Sequence, residues 1–259
     1  ASDVYKRQLY TYAYLSPKLD LKTSGSLYLY DNKNDLVYQG SRSNEWANLE
    51  DISDNLKNAV IAVEDKNFYN HHGFDYLRIA KAMLTNIKKK SIVQGASTIS
   101  QQYIKNLYLD FDKTWKRKAE EAMLTLELEV HYDKDDILEG YLNTINYGHG
   151  MYGIGNASYF YFGKSPKDLT LAESAMLVGI PKSPSNYSPI SNYDLAKQRQ
   201  RYVLNTLVNN GMISKEEADQ AYAEKLTIIG EKSENDLSKI MYYQDAVMKE
   251  LKTIKAIPE

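Results

Sequence analysis

Apolar residues recur at three- and four-residue spacing along most of this chain, and this periodicity limits the folds it can adopt. In the stretch 54–64 they occupy Leu56, Ala59, Val60 and Val63, which share one face of a helix. Later segments repeat the spacing with Ile79, Ala80, Met83, Leu84 and Ile87, and with Ala119, Ala122, Met123, Leu126 and Val130. The pattern predicts a mainly α-helical fold with one apolar stripe per helix.

Polar residues at the starts of these segments predict where helices begin. Predicted N-caps are Ser53, Asp75, Asp133, Thr170 and Ser214, the last two completed to capping boxes by Glu173 and Glu217. Residues 25–40 differ, because alternating Leu and Tyr lead into the turn-forming stretch 31–35. A small N-terminal β-hairpin is therefore expected ahead of the helical body.

The composition excludes several kinds of site. The chain has 259 residues, no cysteine and a formal net charge of -2. Disulfides, thiolate metal sites and a cysteine nucleophile are excluded, and the charge argues against a general nucleic-acid binder. No stretch approaches the roughly 18–20 apolar residues of a membrane span. The chain begins without Met, and its opening ASDVYKRQ resembles a translated sequencing-adapter scar, so we expect a fragment whose residues 1–8 are foreign to the protein.

Residues 63–73, VEDKNFYNHHG, gather two acids, two of the four histidines and a glycine. A carboxylate at the apolar end of a helix loses hydration, which favours proton uptake near neutral pH, so Glu64 is a candidate general base. Asp65 points about 100 degrees away and is expected to organise the turn, with His71 and Gly73 at its exit. The alternative is an acidic helix end with solvated histidines. Adjacent histidines do not readily share one ion, so a histidine metal site is disfavoured.

The segment QGASTISQQYIKN, 94–106, places small and hydroxyl residues at the start of a predicted helix. Free N–H groups there, with hydroxyls and a lysine nearby, suit an anion site. The spacing of a nucleotide-binding P-loop is absent, and the alternative is a Ser/Thr cap on a polar helix. The candidate binding residues are Gly95, Ser97, Thr98, Gln101, Gln102 and Lys105.

A basic group follows in KRKAEE, 116–121, where Arg117 and Lys118 stand one helical turn before Glu121. These residues form either surface ion pairs or a cationic cluster for phosphates that Glu121 holds in place. Two separated glutamates alone suit a glycoside hydrolase equally well. The cationic cluster favours transfer of a sugar whose leaving group is a phosphate.

The helix predicted in KDDILEGYLNTINYG, 134–148, has an apolar face and is interpreted as mainly structural. Glu139 and Asn143 are its additional candidates for the substrate site.

Taken in order, these motifs resemble the peptidoglycan glycosyltransferase domain (glycosyltransferase family 51) of class A penicillin-binding proteins and their monofunctional relatives. The family pattern EDxxFxxHxG is met from Glu64 to Gly73, and GxSTITQQ is met at 95–102, where Ser100 replaces one hydroxyl residue by another. RKxxE is met from Arg117 to Glu121, and KxxILExYLN from Lys134 to Asn143. RxxxVL is met at Arg199, Val203 and Leu204. The match covers about residues 48–212.

The resemblance implies a lysozyme-like, two-lobed and mainly α-helical glycosyltransferase domain at 48–212. Residues 1–47 would then be an N-terminal stalk with the hairpin, and 213–259 a linker toward a missing transpeptidase domain of a bifunctional enzyme. An N-terminal anchor, also missing, would hold the protein at the extracytoplasmic face of the bacterial cell membrane.

The resemblance further implies that the domain polymerises lipid II by inverting transfer from an undecaprenyl-pyrophosphate-linked glycan to the GlcNAc 4-hydroxyl. Glu64 would be the general base, and Lys105, Arg117 and Lys118 would stabilise the leaving pyrophosphate together with a divalent cation, Mg or Mn. Glu121 would position this cluster or hold the metal. The other motif residues would bind substrate: Asp65, Phe68, His71, Gly73, Gly95, Ser97, Thr98, Gln101, Gln102, Glu139, Asn143 and Arg199.

Two segments are expected to respond to the substrate or to its membrane. Residues 104–115, IKNLYLDFDKTW, mix apolar, aromatic and basic residues that suit a membrane surface, with core packing as the alternative. The basic loop 88–94 is predicted to be mobile without substrate. The partners that the resemblance implies are the lipid substrates and the membrane surface, with cell wall synthesis proteins as further candidates, and no nucleic acid is expected. Rival functions are a lysozyme-like glycan hydrolase and a non-catalytic glycan-binding scaffold.

Overall fold

Helices dominate the computed structural model, which describes residues 2–21, 28–30, 36–39, 46–89, 91, 95–108 and 114–230. The predicted mainly α-helical fold class is confirmed. The α-helices are α1 Ser2–Leu15, α2 Asp54–Glu64, α3 Tyr76–Lys89, α4 Ile99–Tyr108, α5 Trp115–His131, α6 Lys134–Thr144, α7 Ile154–Phe162, α8 Leu171–Gly179, α9 Pro184–Tyr187, α10 Tyr193–Asn209 and α11 Lys215–Ala223. Short 3-10 helices lie at Leu49–Asp51, Phe68–Asn70, Pro166–Asp168 and Ile180–Lys182.

Two short strands, β1 (Tyr28–Tyr30) and β2 (Leu36–Gln39), pair antiparallel, with Leu29 opposite Tyr38. The turn predicted at 31–35 lies outside the described residues, so the complete hairpin stays a prediction. Three other predictions fall wholly or partly outside them: the loop 88–94 at 90 and 92–94, the segment 104–115 at 109–113, and the linker at 231–259.

Most predicted helix starts are confirmed because they depend on contacts within one turn. The Asp133 carboxylate accepts the N–H of Asp136, and both capping boxes form. Asp75 accepts the N–H of Arg78 at 2.9 Å one residue before α3. The cap predicted at Ser53 is wrong in its contact, since its buried hydroxyl donates to the Leu169 carbonyl at 3.0 Å. A long-range partner replaces the local one there.

Helix α8 forms the centre of the core, because small and apolar residues cover all its sides. It packs against α2 and α10, and α4 packs separately against α5 and α6. At the ends of the chain, α1 packs on α5, where His131 Nε2 contacts the Ala13 carbonyl at 2.9 Å. Helix α11 packs on α10 with Ala218 and Ala221 buried, so residues beyond the predicted boundary at 212 continue the folded body. That boundary itself stays a prediction.

Helix α3 is the exception to this packing. Ala82 is its one buried residue, while Met83, Leu84 and Ile87 are 65%, 60% and 66% exposed. Its periodicity correctly predicts a helix, but its apolar stripe faces outward. Within the described residues, no helix combines the length and the apolar content that a bilayer span requires.

Candidate active site

Glu64 is the last residue of α2 and lies half-buried. Its Oε2 accepts a hydrogen bond from Gln102 Nε2 at 3.0 Å. Arg78 reaches only its backbone, where Nη1 donates to the Glu64 carbonyl. In the described part of the chain, no Lys, Arg or His side chain forms an ion pair with the Glu64 carboxylate. The side chain is thus held in place while its charge stays unpaired.

Asp65 has the opposite environment to its neighbour, because it is fully buried. Its carboxylate contacts His71 Nε2 at 2.9 Å and accepts the backbone N–H of Ile99, at the start of α4, at 3.1 Å. An anion is favoured at a helix N-terminus, so Asp65 fixes α4 against the end of α2. The alternative of a solvated acidic end with a solvated His71 is wrong, since the His71 side chain is 9% exposed.

Gly73 joins the same two motifs at a second point. Its carbonyl accepts the Thr98 hydroxyl at 2.7 Å, and its φ of +83° lies in the left-handed region that favours glycine. A Cβ there would lie 3.0 Å from Thr125 Cγ2, on α5. Gly73 therefore allows a close backbone approach, and the contact joins the first motif to the second.

The two glutamines of α4 serve different glutamates, because consecutive helical residues point about 100 degrees apart. Gln102 donates to Glu64 and accepts the Tyr141 hydroxyl at 3.2 Å. The buried Gln101 donates through Nε2 to Glu121 Oε1 at 3.1 Å. One turn of α4 therefore connects Glu64 to the cationic cluster predicted from the sequence.

Glu121 is 2% exposed on α5 and its carboxylate is fully engaged. Arg117 Nη1 donates to Oε2 at 3.0 Å, and Lys118 Nζ donates to Oε1 beside Gln101. The three motif residues therefore form one cluster around a buried carboxylate, where the sequence left surface ion pairs open.

The surroundings of Glu121 do not fit a metal ion. Cationic side chains bind both of its oxygens, and among the residues described no three His, Asp or Glu side chains converge on one point. A divalent cation at Glu121 would have to displace Arg117 and Lys118. The predicted metal role of Glu121 therefore lacks a ligand set here.

Glu139 and Asn143 bind protein rather than an open site. The Glu139 carboxylate accepts the Trp46 indole N–H at 2.7 Å and the Leu49 N–H at 2.8 Å. Asn143 exchanges two hydrogen bonds with the backbone of Ala47, both at 2.9 Å. Both residues hold the segment that leads into α2, which agrees with the mainly structural interpretation of this helix.

Phe68 and Arg199 are packing residues in the structure. Phe68 is fully buried, with Lys134 Nζ 4.5 Å from its ring centre. The Arg199 guanidinium lies 4.3 Å from the Tyr202 ring centre, and the Arg199 stem packs against Gly179. Neither contact brings these side chains to Glu64.

The remaining candidates lie at the surface near the start of α4 and along it. Gly95 and Lys105 are exposed, and Ser97 is half-buried. A Cβ at Gly95 would meet open space, so no close backbone contact explains this glycine. Lys105 has no ion pair among the described residues, which leaves its charge available to an anion.

Sequence reasoning missed Tyr141 and Arg78. Tyr141 was interpreted as part of an apolar face, yet its hydroxyl bonds Gln102. Burial raises the pKa of Tyr141 well above its usual value, and the Glu64 carboxylate nearby raises it further, so the hydroxyl keeps its proton. Two signals in the sequence could have found Tyr141: its hydroxyl within an otherwise apolar stripe, and its place in the pattern KxxILExYLN.

Comparisons with known proteins show what this chain is similar to. A family model described as Transglycosylase matches residues 33–208. Penicillin-binding protein 2D of Bacillus subtilis is 47% identical over 91% of this chain, and penicillin-binding protein 1A of Neisseria lactamica is 45% identical over 81%. The chain spans 34% and 26% of their lengths, respectively. The crystal structure of penicillin-binding protein 1A from Haemophilus influenzae aligns with a TM-score of 0.47 and 23% identity, covering 88% of this chain and 25% of that one.

Proposed function

Because this chain belongs to the Transglycosylase family, we propose that it is a peptidoglycan glycosyltransferase that polymerises lipid II into glycan strands. The donor is a glycan linked to undecaprenyl pyrophosphate, and the acceptor is the GlcNAc 4-hydroxyl of lipid II. The observation that carries the proposal is the pairing on α4: Gln102 binds a glutamate without an ion pair, and Gln101 binds a glutamate inside a cationic cluster.

Glu64 acts as the general base in this proposal. Its carboxylate takes the proton of the acceptor hydroxyl while that oxygen attacks the anomeric carbon of the donor. The bond from that carbon to the pyrophosphate oxygen breaks, and its electron pair leaves with the diphosphate. A carboxylate that pairs with no cation suits this role, because an adjacent cation would weaken it as a base.

Arg117, Lys118 and Lys105 stabilise the leaving diphosphate. Preorganised cations are most effective where negative charge develops in the transition state. The buried Glu121 neutralises part of the cluster and fixes the directions of Arg117 and Lys118, so we assign it a positioning role. Ser97, Thr98 and Gln101 complete the wall of the donor site in this proposal.

A divalent cation, Mg or Mn, is part of the proposed reaction mixture only. Such an ion would supply Lewis-acid stabilisation of the diphosphate. The side chains around Glu121 do not offer it a ligand set, so no step above depends on it.

The outward face of α3 supports a location at a membrane surface, where lipid-linked substrates reside. Tyr76, Leu77, Met83, Leu84 and Ile87 are more than half exposed, and α3 ends with Lys88 and Lys89. An amphipathic helix with basic residues binds an anionic lipid surface in this way. We place this surface at the extracytoplasmic face of the bacterial membrane, within a longer protein that also carries a transpeptidase.

The function is tested with labelled lipid II in detergent with Mg, comparing wild type, Glu64→Gln and Glu120→Gln. Glu120 is the exposed neighbour of Glu121 and serves as the matched control. We expect polymer from the wild type and the control, and a loss of about 10²–10⁴-fold in Glu64→Gln. Polymer from Glu64→Gln at the wild-type rate would refute the assignment of the base. Release of soluble fragments from finished cell wall, without polymer, would favour the hydrolase.

The membrane surface is tested by co-sedimentation with vesicles that contain anionic lipid. Leu84→Glu should lower binding several-fold, because it places a charge on the apolar face. Thr85→Glu adds the same charge at the next position of α3 and is the matched control. Equal binding by wild type and Leu84→Glu would contradict this surface.

A further inference from the structure

Tyr141 lies near the candidate base, and no direct hydrogen bond joins the two side chains in the described structure. It belongs to α6, is 3% exposed, and its hydroxyl lies 3.2 Å from Gln102 Oε1. Gln102 Nε2 in turn lies 3.0 Å from Glu64 Oε2. The three side chains therefore form a chain of two hydrogen bonds that connects α6, α4 and the end of α2.

The orientation of the Gln102 amide matters, because rotation about the last side-chain bond exchanges the positions of its N–H and C=O groups. With Nε2 toward Glu64, Gln102 donates to the carboxylate and stabilises its ionised form. With Oε1 toward Glu64, it would accept from a protonated carboxyl and stabilise the neutral form instead. The hydroxyl of Tyr141 favours the first arrangement, because its proton needs an acceptor and its hydrogen-bond partner among the described residues is Oε1.

We propose that Tyr141 is a positioning residue that holds Gln102 with its N–H group toward Glu64, where the amide stabilises the ionised form of the carboxylate. The inference rests on the proposed function where it treats Glu64 as the base. Tyr141 does not touch substrate in this account, and it acts only through Gln102.

The charged and titratable groups around Tyr141, Gln102 and Glu64 favour the same orientation of the amide. Asp65 is bound to His71 and Ile99, and Arg78 from α3 is bound to the Glu64 backbone, so neither satisfies the Glu64 carboxylate. Tyr147 lies near Tyr141 but, among the described residues, its own hydroxyl has no hydrogen-bond partner. Gln102 therefore supplies the hydrogen bond to Glu64, and Tyr141 supplies the one that orients Gln102.

The decisive variant is Tyr141→Phe, with Tyr147→Phe as its matched control. Both changes remove one hydroxyl from a buried tyrosine, but the hydroxyl of Tyr147 bonds nothing in the described structure. Thermal unfolding of both variants checks that the fold is retained. Any shared effect of removing a buried oxygen appears in the control.

The first measurement follows the Glu64 carboxyl by NMR in ¹³C-labelled protein, with Glu64→Gln to assign its signal. In Tyr141→Phe the carboxyl should titrate about 0.5–1 pH unit higher than in wild type, because a hydrogen bond to the ionised form is weakened. Tyr147→Phe should titrate like wild type. An unchanged titration in Tyr141→Phe would overturn the inference. This readout needs no substrate, so it decides the positioning role even if the proposed function fails.

A double-mutant comparison tests whether Tyr141 acts through Gln102. Gln102→Met keeps the length of the side chain and removes both the N–H donor and the C=O acceptor of the amide. In that background, Tyr141→Phe should cause no further shift in the Glu64 titration, since the intermediary is gone. A shift of the same size in both backgrounds would mean that Tyr141 acts directly, and would refute the proposal.

The kinetic counterpart is the pH profile of kcat/KM for polymerisation. The acid limb of Tyr141→Phe should move upward by the same amount as the titration, giving a rate about 3–10-fold lower at acidic pH and close to wild type at high pH. A uniform loss at every pH would indicate structural damage and contradict the inference. Full activity in Glu64→Gln would refute the base assignment alone, and the NMR titration would still decide the role of Tyr141.

Discussion

Glu64 and Glu121 accept hydrogen bonds from neighbouring glutamines of α4, Gln102 and Gln101, yet their surroundings are opposite. Glu64 is half-buried and accepts one neutral amide. Glu121 is 2% exposed and accepts an amide, a guanidinium and an ammonium. A carboxylate surrounded by donors is stable as an anion and is a poor proton acceptor. If Glu64 is the base proposed above, the neighbours of the two glutamates, rather than their residue type, give them different roles.

The largest expected effect is on stability, and it should fall on Glu121 alone. Glu121→Gln leaves Arg117 and Lys118 without their partner, and we expect the free energy of unfolding to drop by about 3 kcal/mol. Glu64→Gln should change it by less than about 0.5 kcal/mol, because no ion pair is lost. Urea denaturation measures both, with Glu120→Gln as the surface control. Equal losses at the two sites would break the comparison.

Gln101 and Gln102 should show the same difference in unfolding free energy as Glu121 and Glu64, but with smaller losses. Gln101→Met removes a donor from the buried Glu121 and an acceptor from the Thr98 N–H, so we expect a loss of about 2 kcal/mol. Gln102→Met should cost less than about 1 kcal/mol, since Glu64 is half-buried and water can replace the amide. The measurement is again urea denaturation. A larger loss in Gln102→Met than in Gln101→Met would contradict the assignment of the two glutamines.

Inorganic pyrophosphate should distinguish the two sites by binding at one of them. At tenfold above its Kd it should stabilise the wild type by about 1.4 kcal/mol, seen as a higher Tm. Arg117→Gln should lose this response, whereas Glu64→Gln should keep it. A response that survives in Arg117→Gln would place the anion site elsewhere.

The smallest effect concerns a third carboxylate, Asp75, which has amide donors and no ion pair within the described structure. Burial raises the pKa of Asp75, but the Arg78 N–H, the Asn67 amide and the nearby charges of His71 and Arg78 outweigh it and hold this pKa below its usual value. A lowered pKa in the folded state stabilises the protein above pH ~4, and this contribution is lost as pH falls further.

Asp75→Asn should therefore make the unfolding free energy less dependent on pH below about 4, by at most about 0.5 kcal/mol. Unfolding titrations between pH 3 and pH 6 (roughly the range that spans an ordinary Asp pKa) measure the change. A steeper dependence in the variant would reverse the sign and contradict the assigned cause.

Local features of the fold could be predicted from the sequence. Thr170 with Glu173 and Ser214 with Glu217 form their capping boxes, because both partners lie within one turn. The helix over α3 was also predicted, but its exposed stripe was not. Periodicity identifies an apolar face and carries no information about what covers that face.

Long-range contacts set the limit of prediction at the site. Glu64 with the RKxxE cluster was found by motif, and the resemblance to a known family supplied their roles. The hydrogen bond from Tyr141 to Gln102 joins residues far apart in sequence, so no local sequence pattern predicts that these two side chains meet. Glu139 and Asn143 match a family motif, but in the structure they bind the segment before α2. The motif could not predict this, because it identifies the residues and not their contacts.

The two hydrogen bonds that join residues 63–73 to residues 94–106 also have a consequence for engineering. The Asp65 contact with Ile99 and the Thr98 contact with Gly73 close the chain on itself. Between these two contacts, the described residues of α3 bury only Ala82. The outward face of α3 can therefore take residues of different charge while the Asp65 and Thr98 contacts keep α2 and α4 in place. The proposed membrane surface and the proposed catalytic base can in this sense be redesigned separately.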